Sequence, residues 1–127
     1  MKKKDNIYWR KKLDKFSYKI LREAGTEMPF SGKFNMHFED GLYKCKGCNN
    51  LLFESSSKFD SGCGWPSFDQ AIKGSIIYRE DNTLSRTRTE IICSKCDGHL
   101  GHVFNDGPTE TGMRYCVNSA SLNFKNN

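Results

Sequence analysis

The chain has 127 residues, of which 36% are hydrophobic, 13% aromatic and 28% charged, with six cysteines and a formal charge of +5. No run approaches the roughly 18 to 20 apolar residues that a membrane-spanning helix needs, which excludes an integral membrane protein. The aromatic content excludes wholesale disorder, and the length predicts a single domain over residues 1–127.

The basic start of the chain, residues 1–4, is not followed by the apolar run of a signal peptide. We therefore expect a cytoplasmic protein. In that reducing compartment six cysteines favour metal binding or redox chemistry over structural disulfides.

The N-terminal segment, about residues 5–25, has the spacing of an amphipathic helix. Its large apolar residues recur at steps of four, three and four: Trp9, Leu13, Phe16 and Ile20. Asp14 is suited to cap a new turn, so the pattern fits one helix or two short helices with a break near it. Gly25 is a stop signal. We expect this segment to form a clasp on the rest, followed by an irregular connection over residues 26–40 whose aromatics Phe30, Phe34 and Phe38 anchor it to the core.

Residues 41–127 have the pattern of short strands separated by turns. The predicted strands are Leu42–Cys45, Leu51–Phe53, Ser75–Tyr78, Thr83–Ile92, Leu100–Phe104, Met113–Asn118 and Ser121–Phe124. The predicted fold class is therefore mainly β (α+β), an antiparallel β core with helices at the N-terminus.

Four of the cysteines form two C-x-x-C pairs, Cys45 with Cys48 and Cys93 with Cys96. This spacing lets two thiolates reach one ion from a tight turn, and four sulfur ligands favour zinc, with iron or an iron–sulfur cluster as the lesser option. The pairs are far apart in sequence, so the ion would join two distant hairpins, and with four thiolates it would be structural. Two redox dithiols or buried free thiols are the alternative.

The other two cysteines lie in different settings. Cys63 is flanked by glycines in a segment that is typical of an exposed loop. In the strand that carries Cys116, alternation places Arg114, Cys116 and Asn118 on one face, where a guanidinium would lower the pKa of the thiol. Each cysteine also fits a plain structural role, as a small loop residue or a small core residue.

His99 and His102 flank Gly101, and a bulge at that glycine would aim both imidazoles at one place. Imidazoles can supply a proton near neutral pH, although each histidine alone is more typical of a satisfied structural residue. Trp65 comes from the same glycine-rich segment as Cys63. It would serve as an apolar wall for a ligand or as a core aromatic.

Several long motifs together resemble the B-type methionine sulfoxide reductases, which reduce methionine-R-sulfoxide. The resemblance runs from about Trp9 to Phe124 and includes both C-x-x-C pairs. Its motifs are Gly25–Glu27 with Pro29–Gly32, then Lys58–Phe68, His99–Pro108 and Arg114–Ser119. Two departures are minor: Gly98 stands where the family often has alanine or serine, and the region near Asp14 lacks the family's Pro-Glu helix start.

The resemblance implies twisted antiparallel sheets around a small core and a role for each motif. Cys116 would attack the sulfoxide sulfur and become a sulfenic acid, and Cys63 would resolve it as a disulfide that thioredoxin reduces. Trp65 would pack against the substrate's methyl group, while His99, His102 and Asn118 would surround the oxygen. Arg114 and Asp106 match positions that shape the family's active site. Repair of oxidised proteins by a monomer, with one structural zinc per chain, is the implied activity.

A non-catalytic, zinc-stabilised binding module is the competing function. Such a module needs the two C-x-x-C pairs but has no use for Cys63 and Cys116. The basic residues concentrate at the N-terminus, in residues 2–4 and 10–12, and favour a solvated face over a nucleic-acid surface. We therefore expect neither a nucleic-acid nor a membrane partner.

Overall fold

The structure is a computed structural model that describes residues 6–82 and 87–126. In these residues two helices precede nine strands: α1 (Asn6–Lys12), α2 (Lys15–Glu23), β1 (Gly41–Cys45), β2 (Leu51–Glu54), β3 (Lys58–Phe59), β4 (Ser67–Phe68), β5 (Ile76–Asp81), β6 (Arg88–Cys93), β7 (His99–Phe104), β8 (Arg114–Val117) and β9 (Leu122–Asn126). None of the helices in this part of the chain has the length and hydropathy to cross a membrane.

The N-terminal helical segment breaks at Asp14, which settles the choice between one helix and two. The Asp14 carboxylate accepts a hydrogen bond from the Ser17 N–H at 3.0 Å and caps α2. Because the break shifts the helical phase, Phe16 is 52% exposed, and its place on the predicted apolar face is wrong. The other three predicted residues are buried: Trp9, Leu13 and Ile20. α2 ends at Glu23, and its C-terminal cap is Ala24, which has a left-handed φ of 54°. The left-handed residue that ends the helix is therefore Ala24 and not Gly25.

The connection over residues 26–40 has one aromatic anchor where three were predicted. Phe34 is buried and packs edge-on against Tyr43, with ring centroids 5.7 Å apart. Phe30 and Phe38 are exposed, so their predicted role as core anchors is wrong. Apolar residue type alone does not distinguish a core anchor from an aromatic side chain that faces solvent.

The described strands form two antiparallel sheets, ordered β2-β1-β9 and β3-β4-β8-β7-β6-β5. The predicted fold class is confirmed. β3 and β4, of two residues each, have no counterpart among the predicted strands because so short a run carries no alternation. The predicted strand Thr83–Ile92 corresponds to β6, and its first part, residues 83–86, lies outside the described residues.

Aromatic residues connect the two sheets within a core that also contains aliphatic residues and cysteines. Phe53 of β2 stacks on Phe68 of β4 with centroids 4.2 Å apart and planes 12° apart. Tyr43 of β1 meets Phe68 edge-on at 5.1 Å. These ring contacts pack β4 against β1 and β2. Because β4 pairs with β8, they also hold β8 relative to the smaller sheet.

Gly101 lets β7 and β8 approach closely at the centre of the larger sheet. A Cβ at this position would lie only 2.0 Å from the Cys116 carbonyl oxygen, so no larger residue fits without moving the backbone of β8. Gly101 pairs with Val117 in the register, and Cys116 pairs with His102. The spacing of β7 and β8 therefore controls where Cys116 stands.

We expect Gly101→Ala to lower the free energy of unfolding by about 3 kcal/mol through overpacking against backbone. The measurement is equilibrium urea unfolding. Gly112→Ala is the matched control: a Cβ there meets nothing within 4 Å, but φ is +71°, so a loss of about 1 kcal/mol is expected. Equal losses in the two variants would contradict the importance of the close approach.

Candidate active site and metal centre

The first C-x-x-C pair forms a tight knuckle between β1 and β2. The Asn49 N–H donates to the Cys45 carbonyl at 2.8 Å, and the Cys45 N–H donates to the Asn50 carbonyl at 2.9 Å. Asn49 has a left-handed φ of 64°, a conformation that asparagine tolerates better than most residues. This turn brings the Cys45 and Cys48 side chains to the same side.

The second pair repeats this geometry between β6 and β7. The Asp97 N–H donates to the Cys93 carbonyl at 2.9 Å, the Cys93 N–H donates to the Gly98 carbonyl at 2.9 Å, and Asp97 also has a φ of 64°. The residue after each second cysteine is thus an asparagine or aspartate in the left-handed region. The two C-x-x-C turns thus have the same backbone geometry, and each turn belongs to a different sheet.

The four sulfurs form one buried cluster. All four Sγ atoms lie within 4.8 Å of one another, with Cys45 and Cys96 3.7 Å apart and Cys48 and Cys93 3.5 Å apart. Tetrahedral ligands at the zinc–sulfur distance of about 2.3 Å would be about 3.8 Å apart, so the donor set fits that ion. Hydrogen bonds from the neighbouring thiols lower the pKa of Cys93, whereas they raise the pKa of Cys45. A divalent cation would allow all four to ionise together.

The helical clasp covers this cluster. The Arg22 guanidinium donates to the Cys96 carbonyl at 2.8 Å and lies 4.8 Å from the centre of the Trp9 ring. A Cβ at Gly98 would lie 2.8 Å from Leu21. The family departure at Gly98 therefore has a structural reason in this chain: α2 lies directly on the second knuckle.

The two remaining cysteines, far apart in sequence, meet at the surface of the larger sheet. The Cys63 and Cys116 Sγ atoms are 3.5 Å apart. β4 pairs Ser67 with Cys116 and so brings the Cys63 loop onto β8. The loop is closed by the Ser61 hydroxyl, which donates to the Cys63 sulfur at 3.0 Å and lies 2.7 Å from the Ser67 hydroxyl.

Cys63 is the more acidic member of this thiol pair in the reduced, ligand-free site. The hydrogen bond from Cys116 lowers the pKa of Cys63 to about 4, and the hydroxyls of Ser61 and Ser67 add to the effect. The same hydrogen bond, together with burial, raises the pKa of Cys116 above its ordinary value. Arg114 lowers the pKa of Cys116, as predicted, but by less than Cys63 and burial raise it.

A cavity of about 320 Å³ opens beside the two sulfurs. It is lined by residues of the glycine-rich loop, of β6, β7 and β8 and of the connection that follows α2: Thr26, Cys63, Trp65, Arg88, Gly101, His102, Phe104, Arg114, Cys116, Val117 and Asn118. Six of the predicted site residues are among them. The cavity combines an aromatic wall with a thiol pair and polar donors, which suits a small ligand that has one apolar and one polar end.

The two histidines are brought together by a bulge, as predicted. β6 pairs Ile91 with Gly101 and Ile92 with His99, so β7 carries one extra residue, and the imidazole centroids are 5.7 Å apart. His102 lines the cavity. His99 does not: it is buried behind His102, its Nε2 has no hydrogen-bond partner, and burial lowers its pKa.

Trp65 and Asn118 are both hydrogen-bonded to the backbone of one residue, Glu27. The Trp65 indole N–H donates to the Glu27 carbonyl at 3.0 Å, and the Glu27 N–H donates to the Asn118 side-chain oxygen at 3.0 Å. The Asn118 amide also donates to the Leu100 carbonyl at 3.1 Å. Trp65 is therefore only partly buried and forms a wall, whereas Asn118 is a buried link between three segments.

Asp106 does not line the cavity but contacts Arg114, which does. Its carboxylate accepts two hydrogen bonds from the Arg114 guanidinium, at 2.9 and 3.2 Å, and Arg114 holds the pKa of Asp106 below its usual range. The Arg114 guanidinium also lies 4.5 Å from the centre of the Phe104 ring. Asp106 fixes the direction in which Arg114 points toward the thiol pair.

Comparison with known proteins assigns this architecture to a family. Residues 13–126 match the SelR domain. The chain is 55% identical to peptide methionine sulfoxide reductase MsrB of Teredinibacter turnerae, over 96% of this chain and 91% of that protein. It is 56% identical to the MsrB of Variovorax paradoxus, over 86% and 81% of the two chains. The chain belongs to the SelR-domain family of methionine sulfoxide reductases.

The prediction of an oxidoreductase of this family is thereby confirmed. Among solved structures the 'Yippee-like' domain of Mis18 is similar, with a TM-score of 0.52 and 17% sequence identity, covering 68% of this chain and 96% of that domain. At this identity the likeness concerns the fold alone.

Three functional candidates in this SelR-domain protein were missed by the sequence reasoning. Glu90 binds His99 Nδ1 at 2.6 Å, Asp81 binds His102 Nε2 at 2.7 Å, and Arg88 binds the Asp81 carboxylate at 3.3 Å. Alternation along β6 places Arg88 and Glu90 on one face, which is the signal that could have found them. Asp81 has no such signal, because its pairing depends on the register of β5.

The thiol pair predicts a specific pH profile for alkylation. Wild-type Cys63 should react with iodoacetamide almost equally fast at pH 6 and pH 8, since its pKa of about 4 leaves it a thiolate at both. Cys116→Ala removes the donated hydrogen bond and raises that pKa toward about 8.5, so the ratio of the rates at pH 6 and pH 8 should fall by about tenfold or more. Peptide mass spectrometry measures the rates.

Cys116→Ser is the matched control for this experiment. Its hydroxyl can still donate to Cys63, so the shift should be smaller than in Cys116→Ala. An unchanged pH profile in Cys116→Ala would contradict the assignment of the charge to Cys63.

Proposed function

We propose that this protein reduces methionine-R-sulfoxide in oxidised proteins to methionine, with Cys116 as nucleophile and Cys63 as resolving cysteine. The observation that carries the proposal is the 3.5 Å separation of the two sulfurs beside a cavity that Trp65 and His102 line, in a chain of this family. We further propose that residues 1–127 act as a single reductase domain.

The first step transfers the oxygen to Cys116. The Cys116 thiolate attacks the sulfoxide sulfur and forms a sulfur–sulfur bond while the oxygen takes up a proton. The hydroxyl group then moves to the Cys116 sulfur as the sulfur–sulfur bond and the substrate's sulfur–oxygen bond break, which leaves a sulfenic acid on Cys116 and releases methionine. The substrate is reduced by two electrons and Cys116 is oxidised by two. Arg114, which lowers the pKa of Cys116, favours its ionised form when substrate replaces the hydrogen bond to Cys63.

The substrate's two ends would meet different walls of the cavity. Trp65 offers an aromatic face for the methyl group. We assign the oxygen to the side of His102 and Asn118, where an imidazole can donate a proton as the sulfur–oxygen bond weakens. His99 packs edge-on against His102 and is hydrogen-bonded to Glu90, so it would hold the His102 imidazole in place without touching the substrate.

The second step closes the cycle. Cys63 attacks the sulfenic sulfur of Cys116, a disulfide forms, and the oxygen leaves as water. A dithiol reductant then restores both thiols. We propose thioredoxin, whose potential of about −270 mV suffices for an accessible catalytic disulfide. This chemistry suits a monomer in the reducing cytoplasm, and it gives the thiol pair a role that a binding module would leave unexplained.

We assign one structural zinc ion per chain to Cys45, Cys48, Cys93 and Cys96. The support is the buried cluster of four sulfurs at tetrahedral spacing. Zinc with four thiolates keeps no open position for water or substrate, so it contributes stability and not chemistry. These cysteines hold the β1–β2 and β6–β7 turns together.

A two-epimer assay tests the reaction. With dithiothreitol as reductant, only the R epimer of a methionine sulfoxide peptide should be consumed, and Cys116→Ser should consume neither. Cys63→Ser should form about one methionine per chain and then stop when thioredoxin is the reductant. Full turnover by Cys116→Ser, or unchanged thioredoxin-dependent turnover by Cys63→Ser, would overturn the assigned roles.

Native mass spectrometry tests the metal. We expect one zinc per chain in the wild type and in Cys63→Ser, which is the matched control outside the cluster. Cys48→Ser should lose zinc and unfold at a temperature lower by roughly 7 °C or more, since a loss of about 2 kcal/mol has that effect in a domain of this size. A metal-free chain of equal stability would remove the zinc assignment.

A further inference from the structure

Glu27 is a buried acidic residue to which the proposed reaction gives no part. It is 3% exposed and lies in the connection that follows α2. Its neighbour Thr26 lines the 320 Å³ cavity, whereas Glu27 does not. A carboxylate is costly to bury, so its contacts need an explanation.

The backbone of Glu27 connects two walls of the cavity. Its N–H donates to the Asn118 side-chain oxygen and its carbonyl accepts from the Trp65 indole, both at 3.0 Å. Trp65 belongs to the glycine-rich loop and Asn118 follows β8, so in sequence they are distant from Glu27 and from each other. One residue therefore sets both side chains relative to the cavity.

The side chain of Glu27 anchors that backbone to the body of the domain. Its Oε1 accepts a hydrogen bond from the Ala120 N–H at 2.9 Å, in the short 3-10 turn directly after Asn118. The other oxygen, Oε2, is buried without a hydrogen-bond partner and faces Gly32, where a Cβ would lie 2.4 Å from it. The carboxylate is thus enclosed between the connection and this turn.

We propose that Glu27 is a positioning residue for the substrate cavity. Its carboxylate attaches the connection to the 3-10 turn that contains Ala120, so that the Glu27 N–H and carbonyl orient Asn118 and Trp65 toward the sulfoxide. This inference rests on the proposed function for the identity of the ligand. The thiol pair does not depend on Glu27, because the β4–β8 pairing and the serines of the Cys63 loop hold it. Loss of Glu27 should therefore weaken substrate binding more than it slows the reaction at Cys116.

Steady-state kinetics test this with a peptide that carries one methionine-R-sulfoxide and with dithiothreitol as reductant. Glu27→Ala should raise KM about tenfold or more while kcat changes by less than about threefold. Glu27→Gln keeps an oxygen that can accept from Ala120, and its KM should stay within about threefold of the wild type. Glu23→Ala, at an exposed position of α2, is the control and should behave as the wild type.

Indole resonances in a ¹H–¹⁵N spectrum give a readout that needs no activity. The chain has two tryptophans. In Glu27→Ala the Trp65 indole N–H should shift or broaden because its acceptor is displaced, while that of Trp9, a buried residue of the clasp, should stay in place. An unmoved Trp65 resonance together with an unchanged KM would overturn the proposal.

Glu27→Gln keeps the proposal testable if Glu27→Ala does not fold. A tenfold rise in KM for Glu27→Gln with both indole resonances in place would show that the charge matters and not the anchor, and would overturn the proposal. If the wild type reduces no sulfoxide, the proposed function fails on its own. The indole spectra would then still decide whether Glu27 positions Trp65.

Discussion

The contact of four sulfurs between the two knuckles is the constraint on which the rest of the structure depends. One knuckle ends β1 in the smaller sheet and the other ends β6 in the larger sheet, so the cluster fixes the two sheets relative to each other. β7 begins three residues after Cys96 and carries both imidazoles. The cluster therefore positions the strands that carry residues of the cavity, although none of the four sulfurs borders the cavity.

Three pairs of charged or titratable side chains lie in and next to the cavity. Glu90 with His99, Asp81 with His102, and Asp106 with Arg114 each place a carboxylate against a cationic or titratable partner. Groups held in this way need little reorganisation when charge moves within the site. The same arrangement fixes which nitrogen of each imidazole is engaged, as outer carboxylates do for histidines in metal sites.

The chemistry of the site was predictable from the sequence where local patterns specify it. The C-x-x-C spacing predicted the cluster, the glycine between the histidines predicted the bulge, and alternation predicted the face of Arg114 and Cys116. The contacts of Glu27 with Asn118 and Trp65 were not predictable, since they span 91 and 38 residues. The 3.5 Å approach of Cys63 to Cys116 was also out of reach, because the two cysteines belong to segments 53 residues apart in sequence.

The separation of the Cys63 and Cys116 sulfurs also bears on how the protein would withstand the oxidising conditions under which methionine sulfoxide arises. A disulfide bond is about 2.05 Å long, so the two sulfurs need to approach by only about 1.5 Å from the 3.5 Å seen here. A sulfenic acid that forms on Cys116 would meet the Cys63 sulfur before it met a molecule of peroxide. The enzyme would thereby avoid the sulfinic and sulfonic states, from which a cysteine of this kind does not return.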